Sequence, residues 1–402
     1  MSAPVTNSVI DIDLEILPRL RIAVFNRIFS PTGGGAERYA IALVEQLAAR
    51  HEIHVYAQQI DHEWPGVTYH RVSMPLRKPR WLNQLWFATA TWWATRRGFD
   101  IVHSHENTWH GDVQTVHVLP VAHNLFVGRT GQRRALRWLK VVTSPRLLTY
   151  LGLEHARFAP RAGRQVVVTS DTLLTTMADT FPKVARAMSV VTPGITLPAV
   201  TTPADKGAAR RLLGLPRGPC LLFVGNDYRK KGLATVLDAL LGLPANVSLA
   251  VVGNPAQIPI FEDVVKQRGL VGRVFFLGAL KDVSPAYVAA DLLVHATLED
   301  TFAMVVLEAM SHGLPVVVSG PAWCGISALL ADGVNALVLR DPEDVVEVED
   351  AIRRVLDEPD FRRFVAKGAA HFARAYQWPA IARRQEAIYL ASVNARQGGD
   401  GD

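Results

Sequence analysis

Apolar positions along the chain fall into two alternating textures. Short β-branched runs predict strands at Leu20–Phe25, Ile53–Tyr56, Ile101–Ser104, Gln114–His117, Gln165–Thr169 and Ser189–Thr192. A second set follows at Cys220–Val224, Ser248–Val252, Val274–Leu277, Leu292–His295, Pro315–Val318 and Ala336–Leu339. Stretches of helical period, among them Ala36–Ala49, Thr235–Leu241 and Pro342–Leu356, separate many of them. Strands such as CLLFV and LAVV are apolar without alternation, as expected when helices cover both faces of a parallel sheet. The pattern restarts near residue 219, after a Pro-, Thr- and Gly-rich stretch that predicts a linker near 195–215. The expectation is an α/β chain of two doubly wound domains, residues 1–197 and 198–377. A last helical pattern, Pro379–Ala391, lies behind the breaker Gln377-Trp378-Pro379, so residues 378–402 are set apart. Open parallel sheets bind ligands beyond the carboxyl ends of their strands, and two facing sheets would enclose a cleft there.

Composition narrows the class. A chain of 402 residues that is 49% apolar and 20% charged has the makings of two cores, and 29 Gly with 24 Pro shows no fibrous or linker bias. Cys220 and Cys324 are too few for a disulfide framework or a Cys-rich zinc site, which points to a reducing compartment. The N-terminal twenty residues lack the basic start and apolar run of a secretory leader. Trp81–Thr95 is too short and too polar to span a bilayer. The net charge of +6 is uneven: residues 1–200 carry 22 basic and 14 acidic side chains, residues 201–402 carry 21 and 23. Ten of the 13 histidines lie in the first half.

Candidate chemistry sits after the strands. The first predicted strand leads to Pro31-Thr-Gly33-Gly34-Gly35, a turn that opens a helix and suits an anion or a plain structural turn. It is not GxGxxG, and no acid follows the second strand to hold a ribose, which counts against a dinucleotide enzyme. The segment FDIVHSHENTWHGDVQTVH gathers His103, His105, Glu106, His110 and His117. A zinc site and a polar rim that hydrogen-bonds a phosphate or sugar both fit this composition, although strand alternation turns Glu106 away from His103 and His105. Arg229, Lys230 and Lys231 precede a helix start near Gly232, where cations oppose the helix dipole, so a bound anion explains them better than a solvated turn. Asp300 and Glu308 follow the strand ending at His295. Asp300 or Thr301 is a competent helix cap, whereas Glu308 in the apolar run AMVVLEAM requires a partner or a ligand. On a helix the two acids would lie about 12 Å apart, too far for a hydrolytic pair but comparable to the ribose-to-hexose length of a sugar nucleotide.

These motifs resemble the retaining glycosyltransferases of family 4, with the GT-B fold of two facing Rossmann-like domains, over Arg21 to about Val393. The family's E-x7-E motif reads here as Asp300-x7-Glu308. The GG-xx-ER turn, the DIVHSHE strand, the TVH strand end and the RKKG turn precede it in the family's order. FVGNDYRKKGLATVLDAL and VVTPGI are most similar to lipopolysaccharide core glucosyltransferases. The resemblance implies a hexose moved from a nucleotide diphosphate sugar, UDP-glucose or similar, to a glycolipid or oligosaccharide acceptor, with no metal or other cofactor. It implies donor phosphate contacts for Gly33 and Gly34, His117 beside the reacting centre, and Lys231 on the diphosphate with Lys230 or Arg229. It places the donor sugar at Asp300, the ribose at Glu308, backbone contacts at Phe302, Ala303 and Met304, and the nucleobase at Gly278. Asn226 stands where many members carry an arginine, and the final helix is implied to cross back to the first domain.

Two stretches, residues 64–99 and 113–153, each hold six basic side chains and no acid. The first includes Arg77, Lys78 and Arg80, the second Arg133, Arg134 and Arg137, and tryptophans accompany both. Such surfaces suit an anionic membrane and a phosphorylated glycolipid, which implies a cytoplasmic enzyme peripheral on the inner membrane face. The tryptophans of Trp81–Thr95 are expected to be buried by a crossover helix. Competing readings are a GT-B epimerase or phosphorylase and a non-catalytic sugar-nucleotide binder. No nucleic-acid module is visible.

Overall fold

The computed structural model describes residues 18–31, 33–199 and 201–397. The leader reading of the first twenty residues and the tail at 398–402 lie essentially outside them. Residues that read as apolar runs form two parallel sheets. The first contains β1 (Arg21–Phe25), β3 (Glu52–Ala57), β5 (Val67–Arg71), β6 (Ile101–Ser104), β7 (Val113–Val116), β8 (Gln165–Val168) and β9 (Met188–Val190). Its order is β5-β3-β1-β6-β7-β8-β9, with every pairing parallel. The two-residue strands β2 (Ile28–Phe29) and β4 (Gln59–Ile60) pair beside it. Helices α1 (Gly35–Leu47), α2 (Arg80–Thr95), α3 (Val121–Phe126), α4 (Gly131–Val142), α5 (Pro145–Arg157) and α6 (Asp171–Thr180) connect these strands.

The second sheet contains β10 (Cys220–Gly225), β11 (Ser248–Gly253), β12 (Val274–Gly278), β13 (Leu292–His295), β14 (Val316–Ser319) and β15 (Leu337–Leu339). Its order, β12-β11-β10-β13-β14-β15, again reverses direction beside its first strand. Leu221 and Phe223 of β10 enter one core cluster while Leu222 and Val224 enter another, which is why the strand is apolar throughout. Helices α7 (Pro203–Leu212), α8 (Leu233–Gly242), α9 (Ile258–Gln267), α10 (Ser284–Ala289), α11 (Met304–Ser311), α12 (Val345–Asp357) and α13 (Pro359–Arg374) cover the two faces.

Three expectations change. The proposed linker contains α7, nucleated by a Thr202/Asp205 capping box that the Pro- and Gly-rich composition hides. Strand β5 had no apolar run to announce it, because VTYHR is an edge strand with partly exposed side chains. The tryptophans of α2 are not buried by it: Trp86, Trp92 and Trp93 are exposed, and the buried face holds Asn83, Gln84, Phe87, Ala88, Thr91 and Thr95. Asn83 and Gln58 exchange two amide hydrogen bonds, and Gln84 donates to the Asn107 carbonyl, so this polar face is satisfied indoors.

The chain returns to the first domain in α14 (Trp378–Gln397). Ile381, Ala382, Ile388 and Tyr389 join Tyr39, Leu43 and Val44 in the first domain's core. The outgoing and returning strands touch where Ile195 N–H donates to the Tyr376 carbonyl at 2.8 Å and Trp378 N–H to the Ile195 carbonyl at 3.2 Å. Between the two sheets lies a cleft of about 1010 Å³.

Candidate functional site

The cleft is lined from the first domain by Gly33, Gly34, Arg38, Tyr39 and His117, and from the second by Asn226, Lys231, Lys281, Asp300 and Glu308. On the first side the turn after β2 places Gly34 at the start of α1, where no side chain caps the free N–H groups. Such a helix start favours an anion.

On the second side, Asp227 begins the turn by accepting the Lys231 N–H at 2.9 Å. Gly232 follows in the left-handed region, φ 76°, where a Cβ would lie 1.8 Å from the Ala296 carbonyl oxygen. Gly225 leaves room for the Lys231 stem; a Cβ there would come within 2.8 Å of Lys231 Cγ. Lys231 Nζ therefore points into the cleft and donates to Asp300 Oδ2 at 2.6 Å and to the Glu299 carbonyl at 3.0 Å. The neighbouring cations do not join it. Lys230 pairs with Glu299 at 3.2 Å, Arg229 is exposed, and neither lines the cleft. Of the three cations expected at the diphosphate, the turn turns one inward.

Asp300 lies on the turn before α11, not on a helix with Glu308, so a helical rise does not describe their separation. Its Oδ1 accepts the Phe302 and Ala303 N–H groups at 3.2 and 2.8 Å. Oδ2 faces Lys231 and, at 3.3 Å, His295 Nε2. The carboxylate expected at the donor sugar is thus turned to its own domain, where it orients Lys231 and shapes the turn. Burial raises its pKa, but the His295 hydrogen bond and the Lys231 charge outweigh burial and hold it well below the usual carboxylate range. Ala303 starts α11 at φ 70°, the one non-glycine residue with positive φ among the described residues. Strain of this kind gathers at functional turns. Phe302, Ala303 and Met304 all line the cleft.

Glu308 has the partner its apolar setting demanded, and in fact two. Tyr287 OH donates to Oε2 at 2.7 Å, and Arg38 of the first domain reaches Oε1 at 3.2 Å. Gly278 ends β12 at φ 68° but does not line the cleft; the following residues 279–284 do.

His117 projects from the end of β7. Its Nε2 is 2.9 Å from His105 Nδ1, its ring meets Tyr39 edge-on at 5.1 Å, and its carbonyl accepts Thr301 Oγ1 at 3.1 Å across the cleft. Burial, then the charge of Arg157, pulls its pKa to about 3, so the imidazole is neutral at physiological pH. The rim reading does not extend to its neighbours. His103 is buried between Tyr389 OH and Thr115 Oγ1, each at 2.7 Å, and Glu106 pairs with Arg27 at 2.9 Å. His105 and His110 are also enclosed, and no group of three potential ligands suited to a metal occurs among the described residues. Arg77, Lys78 and Arg80 lie exposed before and at the start of α2; on α4, Arg133 and Arg134 are exposed and Arg137 is half-buried. None of these six lines the cleft. Sequence reasoning assigns no role to Tyr287 or to the His295 side chain, because their partners Glu308 and Asp300 lie on other elements.

The comparisons agree with this architecture. Residues 33–197 match the description "Glycosyltransferase Family 4" and residues 218–358 "Glycosyl transferases group 1". The lipopolysaccharide glucosyltransferase WaaG of Escherichia coli K12 is 27% identical over 232 residues, 56% of this chain and 61% of WaaG. A D-inositol 3-phosphate glycosyltransferase of Xylanimonas cellulosilytica is 28% identical over 303 residues, 68% of this chain and 72% of the relative. In structure, the chain is similar to WaaG, a glycosyltransferase involved in lipopolysaccharide biosynthesis, with TM-score 0.77 and 23% identity over 92% of this chain and 99% of WaaG. Anabaena Alr3699/HepE in complex with UDP and glucose gives 0.71 and 20% over 93% and 100%. Two family descriptions that together take up most of the chain, on two facing parallel sheets, make it a member of the family 4 glycosyltransferases with the GT-B fold.

Proposed function

We propose that this protein is a retaining, metal-independent glycosyltransferase that moves a hexose from a nucleotide diphosphate sugar to a glycolipid or oligosaccharide such as lipopolysaccharide core. The observation that carries this reading is the convergence of Lys231, the Gly33–Gly34 turn at the start of α1 and the turn before α11 on one cleft. A cation and helix termini there meet the charge that develops on the diphosphate as the bond from the anomeric carbon to its oxygen breaks. The acceptor hydroxyl oxygen forms the new bond on the face the diphosphate leaves, and its proton passes to the departing phosphate oxygen. His117, neutral at the cleft wall, serves as a hydrogen-bonding group rather than an acid. Glu308 holds the ribose. HepE was solved with UDP-glucose, and WaaG is a glucosyltransferase, so UDP-glucose is the donor to try first.

The basic, tryptophan-bearing outer surface of α2 and α4 supports a peripheral site on the inner membrane face; no described helix is long and apolar enough to cross a membrane. Product analysis of UDP-glucose incubated with and without a lipopolysaccharide core acceptor tests the reading. Acceptor-dependent release of UDP with formation of an α-glucoside is expected. Conversion of the donor in the absence of acceptor, or no turnover with any of the UDP-, GDP- and ADP-sugars, would reject it in favour of an epimerase or a binding protein.

A further inference from the structure

The two bonds that hold Glu308 differ in kind. Tyr287 is 3% exposed, and its hydroxyl donates to Oε2 at 2.7 Å. Its ring stacks on His312 at the end of α11, with centroids 5.2 Å apart and planes at 28°. A buried phenol finds no alternative partner in water, so this bond persists only with the carboxylate in one orientation. The Arg38 side chain is 42% exposed, comes from the opposite domain and reaches Oε1 at a longer 3.2 Å. An exposed ion pair of this kind contributes little and exchanges readily. An incoming pair of hydroxyls would therefore displace Arg38 and leave Tyr287 in place. Each carboxylate oxygen accepts two hydrogen bonds, so Oε2 can keep Tyr287 and still accept from a second hydroxyl.

We propose that Tyr287 is a positioning residue for donor recognition: its hydroxyl fixes the Glu308 carboxylate so that the edge now covered by Arg38 is presented to the two ribose hydroxyls. Tyr287, at the cleft wall, then governs the preference for a ribonucleotide over its 2′-deoxy counterpart through Glu308. The inference rests on the ribose role proposed for Glu308, and the test separates the two.

Affinities for UDP and for 2′-deoxy-UDP are measured by calorimetry on the full chain carrying Tyr287→Phe or Glu308→Gln, beside the wild type. The wild type is expected to favour UDP by about tenfold or more, the scale of a hydrogen bond to a charged group. Tyr287→Phe should weaken UDP about tenfold and 2′-deoxy-UDP, which keeps only the 3′-hydroxyl, by less, and so erase much of the preference. In turnover it should raise the donor KM and leave kcat close to normal, the signature of lost ground-state binding. The ratio of the two affinities does not depend on the fraction of folded protein, so partial loss of fold does not mask the result. A Glu308→Gln variant that keeps the wild-type preference would overturn the ribose reading itself. A Tyr287→Phe variant that keeps the preference while Glu308→Gln loses it would overturn the role of Tyr287.

Discussion

Lys231 and Asp300 show how much of a site rests on which way single side chains turn. Three consecutive cations are equivalent in sequence, and only the backbone of the turn, with Gly225 leaving room and Gly232 left-handed, selects Lys231 for the cleft. Removing its charge by Lys231→Ala should lower transfer by at least about two orders of magnitude, as for loss of one group stabilising developing charge. Turnover within tenfold of wild type under saturating donor would contradict that. In Asp300→Asn the amide oxygen can still accept the Phe302 and Ala303 N–H groups, but Lys231 and His295 lose their anion. The expectation is an intact fold with transfer reduced at least about tenfold, and a larger loss in Lys231→Ala than in this variant. The buried imidazoles add a pH signature. Burial, helped by His117 and Arg157, lowers His103 to about 3. Its folded pKa lies below the unfolded one, so stability is fully present above about 6.5 and is lost as pH falls toward 3, because only the unfolded chain takes up the proton. Urea unfolding between pH 7 and 4 should show this slope and a shallower one in His103→Gln. Equal slopes would remove His103 as the cause.

At the scale of elements, alternation of strand and helix was legible because parallel strands buried on both faces leave an uninterrupted apolar run, as in β10 and β11. What could not be read was which face of a helix goes inside. In α2 three tryptophans lie outside, where the Trp93 face is covered by the Arg96 guanidinium at 4.0 Å and Trp86 Nε1 donates to the Ser73 carbonyl, while two amides and two threonines share the interior with Phe87 and Ala88. The threonines are satisfied along the helix itself, Thr91 by the Phe87 carbonyl and Thr95 by the Thr91 carbonyl. Hydropathy alone assigns this face wrongly because it does not see those bonds. In α4, Leu136, Trp138, Leu139 and Val142 are exposed beside Arg133, Arg134 and Lys140. Trp138 packs on Phe126, and the rest of this apolar surface is open; a basic helix that exposes apolar side chains is suited to the plane of a membrane interface. Vesicles containing phosphatidylglycerol should bind the protein, and Arg133→Glu with Arg134→Glu should weaken partitioning at least about tenfold, at about 1 kcal/mol per basic side chain. Undiminished sedimentation of that double variant with the vesicles would exclude α4 as the contact.

The whole molecule is less separable than its two repeats imply. The repeat of sheet and helices was visible in sequence, but not the depth to which α14 enters the first domain, because a run such as IARRQEAIYLAS has no single apolar stripe. Its polar residues are instead used indoors. Glu386, 1% exposed, accepts from Arg50 at 2.7 Å and faces His51 at 3.0 Å; Tyr389 bonds His103, and Arg396 bonds Asp112 at 3.1 Å. The first domain's core is therefore closed by residues more than 330 positions from Arg50 and His51. Arg50 can be taken up by water when the carboxylate is removed, but the buried His51 Nε2 is left without its acceptor, at a cost of about 1–3 kcal/mol. Glu386→Ala should lower the first domain's unfolding transition by that amount, while the second domain, whose sheet and core contain no part of α14, keeps its own. A calorimetric scan of the variant should then separate into two transitions. Because the second domain holds Lys231 and Glu308, UDP should raise mainly the upper one. A single transition at the wild-type temperature would show that α14 is not what closes the first domain; a single transition moved down as a whole would show that the two domains unfold only together.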